Sequence, residues 1–282
     1  MSAYAADLAL LTRAAREAGT IAMSYFRRDP QVFWKEGNSP VSEADLAVDG
    51  FLRDFLLSAR ARYGWVSEET ASEPAYEGEN RFFVIDPIDG TRSFLRGEAT
   101  WCVSLAVVEN GRPVVGVIDV PVAAQVFTAT ADGPAMLNRQ PFDMRVPEGP
   151  LRVSLPDRVR RSLSPEVAGE LDIRESLPSL AYRLALVASG RFDGTIVQPR
   201  ANDWDIAAAD LLLHRSGGAL LTAEGKQHLY KLHPRRHGLL VAGADHALDR
   251  LRAVAATLEG DAPVRRPDPT KGHDEHGRDK RR

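Results

Sequence analysis

The 282-residue sequence contains one cysteine, Cys102, so no internal disulfide can hold the chain together. Its place in the apolar run Trp101 to Val108 predicts a small buried hydrophobe in a chain suited to a reducing compartment. No uninterrupted apolar stretch approaches the roughly 20 residues that a helical membrane span needs. Met1 to Ala9 lack the basic and apolar regions of a secretory leader, so the expectation is a soluble, cytoplasmic protein. Excess charge is missing too, because 36 lysines and arginines face 39 acids and leave a formal net charge of -3. Without a broad basic field, neither nucleic acid nor an anionic membrane is an expected partner, and a small acidic ligand would need local help.

What is present is ordinary globular composition, 44% hydrophobic and 27% charged, with chain enough for one large core or two modest ones. Leu8 to Phe26 repeats apolar positions at three- and four-residue spacing, which predicts an amphipathic helix ending at Arg27-Arg28-Asp29-Pro30. A second helix is predicted from near Ser42 to Leu56 on the stripe Leu46, Val48, Phe51, Leu52 and Phe55, so two helices precede any strand. Tyr63 to Val66 and Phe82 to Ile85 read as short strands, and the second lacks alternation, as expected of a strand covered on both faces. Cys102 to Val108 and Pro113 to Val120 flank Asn110-Gly111, a hairpin signal, and Gln125 to Thr130 adds a further strand.

After Pro141 to Pro150 the pattern changes to mixed α/β layering. Strands are predicted at Leu151 to Leu155, Gly194 to Val197 and Leu239 to Ala242. Helices are predicted at Pro165 to Leu171, Leu180 to Ser189, about Asp205 to Arg215, and His246 to Leu258. A boundary near residue 147 would divide an N-terminal α+β subdomain, 1–147, from a C-terminal α/β subdomain, 148–260. Residues 261–282, rich in Pro, Lys, Arg and Asp, read as a disordered charged tail.

Acidic residues cluster at the ends of these elements. In Asp86-Pro87-Ile88-Asp89-Gly90-Thr91, Pro87 fixes φ and the turn can aim both carboxylates and the Ile88 carbonyl at one point, the hard oxygen set that magnesium prefers. The Gly90 and Thr91 N–H groups then remain for an anion. The same composition also makes an ordinary surface turn. Trp65-Val66-Ser67-Glu68-Glu69 places two acids after a strand, where a solvated loop is the plain alternative. Asn202-Asp203-Trp204-Asp205 precedes an Ala-rich helix, which N-capping alone would explain. Ser39-Pro40-Val41-Ser42-Glu43-Ala44-Asp45 has capping-box spacing.

In this order and spacing the four segments resemble the inositol monophosphatase family of magnesium-dependent, lithium-sensitive phosphatases. Asp86-Pro-Ile-Asp-Gly-Thr-Arg-Ser-Phe94 is similar to the family's first signature, and Trp204-Asp205-Ile-Ala-Ala-Ala with Gly217-Gly218 to its second. The resemblance spans about residues 35 to 225. It implies an α+β fold, a five-layer α-β-α-β-α sandwich with an antiparallel-rich sheet first and a smaller mixed sheet second, often assembled as a homodimer.

It further implies hydrolysis of a small phosphorylated metabolite without a phosphoenzyme. Glu68, Asp86, Asp89 and Asp205 would be metal-binding carboxylates, with Ile88 adding its carbonyl and Asp86 bridging two magnesium ions. Gly90 and Thr91 would hold phosphate, while Glu68 and Thr91 orient and deprotonate water. Asp45 would either stand behind Thr91 or hold water on a third magnesium. Arg183 aligns with a lysine of the 3'(2'),5'-bisphosphate nucleotidase branch, where it would meet a second phosphate; the alternative is a solvent-facing arginine on an amphipathic helix. Inositol monophosphatase proper and histidinol-phosphate phosphatase share the signatures. A regulatory protein that binds phosphorylated ligands without turnover is a further alternative, opposed by the complete acid set.

Overall fold

The computed structural model describes residues 3–35, 39–144, 149–233 and 235–260, so the boundary expected near 147 and the tail 261–282 lie outside the described residues. Helix α1 (Ala5–Tyr25) buries a stripe of small residues, Ala14, Ala15, Ala18 and Ala22 with Leu11, which lets it lie close to a sheet. Strands β1 (Val32–Lys35) and β2 (Ser39–Ser42) then pair as an antiparallel hairpin before α2 (Glu43–Ala59). The expectation of two helices before any strand is therefore corrected. In this hairpin β1 exposes Phe33 and Trp34 while β2 buries Pro40 to Ser42 in a row, so neither strand shows the half-buried alternation that reveals one.

Next come β3 (Gly64–Ser67), β4 (Arg81–Asp89), α3 (Thr91–Leu95), β5 (Cys102–Glu109), β6 (Arg112–Val120), β7 (Gln125–Thr130), β8 (Met136–Leu137) and β9 (Gln140–Pro141). Their strands form a seven-stranded sheet in chain order, antiparallel except for the β3–β4 pair. The remaining elements are β10 (Leu151–Ser154), α4 (Asp157–Arg161), α5 (Pro165–Gly169), β11 (Leu171–Arg174), α6 (Leu180–Ala188), β12 (Gly194–Val197), α7 (Asp203–Arg215), β13 (Ala219–Thr222), β14 (Leu240–Gly243) and α8 (Asp245–Gly260). Here a mixed five-stranded sheet has the order β11-β10-β12-β14-β13. Leu171, expected to close a helix, instead opens β11, and β13 was not anticipated because four residues after Gly217-Gly218 carry no period of their own.

Among the described residues, three apolar clusters hold five layers together. One lies between α1 with α2 and the outer face of the large sheet. A second surrounds α6 and α7, sandwiched between the two sheets, and a third lies between the small sheet and α8. Helix α7 is buried on nearly every side from Ile206 to Leu213, which is why this stretch is apolar except for Asp210, held by Tyr230 and Arg112. It approaches β6 so closely that a Cβ on Gly116 would stand 2.8 Å from the Ala208 carbonyl oxygen.

Candidate active site

Strand β4 continues past Ile85, where the sequence suggested a turn, and reaches Asp89. Asp86 pairs with Ser104 and Asp89 with Cys102, so a three-residue step on β4 matches a two-residue step on β5. Residues three apart on a regular strand point to opposite faces; the extra residue of this bulge returns Asp86 and Asp89 to the same one. Pro87, with no N–H to pair, suits the irregular position, and the Ile88 side chain drops into the core beneath α1 and α2. Gly90 follows with φ +96, and a Cβ there would stand 3.0 Å from the Thr100 carbonyl oxygen, so glycine allows the chain to turn directly into α3.

Asp205 arrives from the other half of the chain as the third residue of α7, which opens two residues before the predicted start. Its Oδ2 accepts the Asn202 backbone N–H at 2.6 Å. Carboxylate oxygens of Asp86, Asp89 and Asp205 all lie within 4.8 Å of one another. Burial raises the Asp86 pKa well above the usual carboxylate range, and the charges of Glu68, Asp89 and Asp205 raise it further. Asp205 is raised well above that range for the same reasons, burial first and Asp89 next. Both Asp86 oxygens are buried without a hydrogen-bond donor among the described residues. Such orphaned acceptors, among like charges, lack a counter-charge, and the hard all-oxygen donor set fits magnesium.

Glu68 stands at the end of β3, outside that 4.8 Å group. Its Oε1 lies 3.3 Å from Lys35 Nζ, which also pairs with Glu69 at 2.6 Å. Burial raises the pKa of Glu68, with Lys35 opposing, and raises that of Glu69 to about 7 with help from the Glu68 charge. Lys35 escaped the sequence reading because it sits on the unpredicted hairpin.

Thr91 is the first residue of α3, and its Oγ1 lies 3.2 Å from Asp45 Oδ1 and 3.1 Å from the Ile88 carbonyl oxygen. Asp45 Oδ2 accepts the Ser42 backbone N–H at 2.8 Å and the Ser42 hydroxyl at 2.6 Å. The capping box is real, and the same carboxylate spans from the helix cap to Thr91.

Arg183 is only 6% exposed, which overturns the solvent-facing alternative. Its Nη1 donates to the Leu177 carbonyl at 3.0 Å, and its Nε is buried with no partner among the described residues. Burial lowers its pKa to about 10 against the pull of Asp89. Arg183 lines a cavity of about 460 Å³ together with Arg158, Arg200 and Gln198. A larger concavity of about 690 Å³ between α1 and β7 contains none of the clustered acids. Ser179, the N-cap of α6, touches Asp89 and was not foreseen, since a serine before a helix signals only a cap. In the segment that precedes β14, His237 Nε2 lies 2.7 Å from Asp203 Oδ1.

No helix among the described residues is long and apolar enough to cross a membrane. A family model described as the inositol monophosphatase family matches residues 5–258. An inositol-1-monophosphatase of Rhizobium meliloti is 32% identical over 86% of this chain and 88% of its own length. A 3'(2'),5'-bisphosphate nucleotidase CysQ of Aggregatibacter actinomycetemcomitans is 29% identical over 73% of this chain and 80% of its own. The crystal structure of an extragenic suppressor protein suhB from Bartonella henselae superposes with TM-score 0.79 and 25% identity, covering 89% of this chain and 98% of the other. With the sandwich, the bulged Asp86–Asp89 strand and the three converging carboxylates, these matches show that the chain belongs to the inositol monophosphatase family and is a magnesium-dependent phosphoric monoester hydrolase.

Proposed function

We propose that the substrate carries a second phosphate, as in a 3'(2'),5'-bisphosphate nucleotide such as adenosine 3',5'-bisphosphate. The observation that carries this reading is Arg183, a buried guanidinium with an unpartnered Nε in a cavity that Arg158 and Arg200 also line. Charge-assisted, forked contacts of arginine with phosphate are strong, and cations in one cavity favour a doubly phosphorylated ligand over a neutral polyol.

In this reading two magnesium ions are held by Asp86, Asp89, Asp205 and Glu68 with the Ile88 carbonyl. Bound there, magnesium supplies positive charge to the phosphoryl oxygens and acidifies water. The chain's own groups position the reactants: Gly90 and Thr91 N–H groups hold phosphate oxygens, and Glu68 and the Thr91 hydroxyl orient the attacking water. Asp45, whose Oδ2 is occupied by Ser42, supports Thr91 through Oδ1 rather than serving a third ion.

The test is phosphate release, with magnesium or EDTA, from adenosine 3',5'-bisphosphate, inositol 1-phosphate and histidinol phosphate. A preference for the bisphosphate of tenfold or more, lost in Arg200→Ala and Arg158→Ala, is expected. Equal or better turnover of inositol 1-phosphate would sink it and favour the second reading, inositol-1-phosphate hydrolysis, to which the 32% identity with the Rhizobium meliloti protein points.

A further inference from the structure

Among the described residues, the Asp89 carboxylate is held by Ser179 and by the backbone at the start of α6, where Leu180 and Ala181 lie. Its Oδ2 accepts the Ser179 hydroxyl and, at 2.7 Å, the Ala181 backbone N–H, with Cys102 Sγ at 3.8 Å. These donors converge on one oxygen, and two of them come from the first turn of α6, some 90 residues along the chain. Ser179 is fully buried, and its oxygen accepts the Tyr182 N–H at 3.3 Å as the helix cap. With its lone pair directed to the helix, the hydroxyl proton points at Asp89. The contrast with Asp86, whose two oxygens have no partner, is complete.

We infer that Ser179 is a positioning residue that pins Asp89 Oδ2, so that Asp89 offers magnesium one oxygen while Asp86 offers two. This rests on the magnesium site described above. A carboxylate free to rotate would alternate between one- and two-oxygen contact; holding one oxygen removes that freedom before any ion arrives. Groups that orient a ligand in this way typically change metal affinity by about 10–100-fold when removed. The clamp also joins the two halves of the chain, because Asp89 ends β4 while Ser179 heads a helix of the second half. Pro178 and Leu180, on either side of Ser179, line the arginine cavity, so the same turn borders both Asp89 and that cavity.

Calorimetric titration of magnesium into metal-free wild type, Ser179→Ala and Ser179→Thr tests the inference without relying on turnover. Ser164→Ala, which removes the equivalent hydroxyl cap from α5, controls for loss of a cap alone. Ser179→Ala is expected to weaken magnesium binding about 10–100-fold, Ser179→Thr to restore it to within a few-fold, and Ser164→Ala to leave it unchanged. In kinetics the half-saturating magnesium concentration should rise in Ser179→Ala far more than kcat falls. Wild-type affinity in a folded Ser179→Ala protein, or equal weakening in Ser164→Ala, overturns the role of Ser179. Wild-type protein that takes up no magnesium overturns the metal site itself, and this inference with it.

Discussion

Thr91 and Asp45, 46 residues apart, meet through one contact of 3.2 Å between Thr91 Oγ1 and Asp45 Oδ1. A hydroxyl has one proton, and Thr91 has two acceptors in reach, Asp45 and the Ile88 carbonyl oxygen. A carboxylate behind the hydroxyl attracts that proton and leaves the oxygen lone pair toward the site. Thr91→Ala is therefore expected to lower kcat by about 10²–10⁴-fold, and Asp45→Asn by less. If the two act as one unit, the double variant should be no slower than Thr91→Ala alone. Multiplicative losses in steady-state phosphate release would separate them.

Asp86 makes a prediction about stability rather than rate. Its unpartnered, buried carboxylate opposes folding in the absence of a cation. Asp86→Asn should melt at or above the wild-type temperature in EDTA. Magnesium at 100 times its dissociation constant should stabilise wild type by about 2.7 kcal/mol and leave Asp86→Asn unmoved, with activity lost. Thermal melts with and without magnesium decide it, and a magnesium shift retained in Asp86→Asn would remove Asp86 from the ligand set.

The contrast between what was and was not legible follows from how each residue is used. Asp86 and Asp89 were readable only together with the other three acidic segments, because Asp-Pro-Ile-Asp-Gly alone also makes an ordinary surface turn, and the bulge that aligns them was not readable, since register is set by β5. Most elements in the layers were visible as apolar periods of at least a turn or a strand. The hairpin bearing Lys35 was invisible because its aromatics face outward. A solvent face stood as the alternative for Arg183 because α6 resembles an amphipathic helix, but α6 packs between two sheets and buries that position. Ser179 could be read as a cap and nothing in the sequence connects it to Asp89, because that contact exists only once the halves fold together.

Asp119 gives a pH dependence remote from the acids of the site. It lies on β6 under α1, so close that a Cβ on Gly19 would stand 2.5 Å from its Oδ2. Burial raises its pKa to about 6, with Arg16 opposing. The folded state thus prefers the protonated acid. Below about pH 4 both states are protonated and no penalty exists; between pH 4 and 6 the unfolded carboxyl ionises first and stability falls; above about 6 the full cost is present. That cost is at most about 3 kcal/mol. Asp119→Asn should raise the urea midpoint at pH 7.5 and converge with wild type near pH 4. A constant difference across that range would mean that the titration of Asp119 is not responsible.

Gly90 links the fold to the chemistry most tightly. Its φ of +96 is strained for any L side chain, and an added Cβ would press on the Thr100 carbonyl at 3.0 Å and on Ser179 Cβ at 3.1 Å. Neither neighbour yields easily: one is backbone, the other is the fully buried cap that holds Asp89. Gly90→Ala is expected to cost about 1–3 kcal/mol of stability. Relief by displacement would move Asp89, Thr91 or the start of α6, so activity should fall further than the fraction folded. A temperature well below the melting transition separates the two effects, because there almost all molecules are folded. If the folded Gly90→Ala protein retained wild-type kcat and magnesium requirement, the turn from β4 into α3 could shift without disturbing the ligands. A loss of at least tenfold would tie the glycine to the placement of Asp89 and Thr91 together.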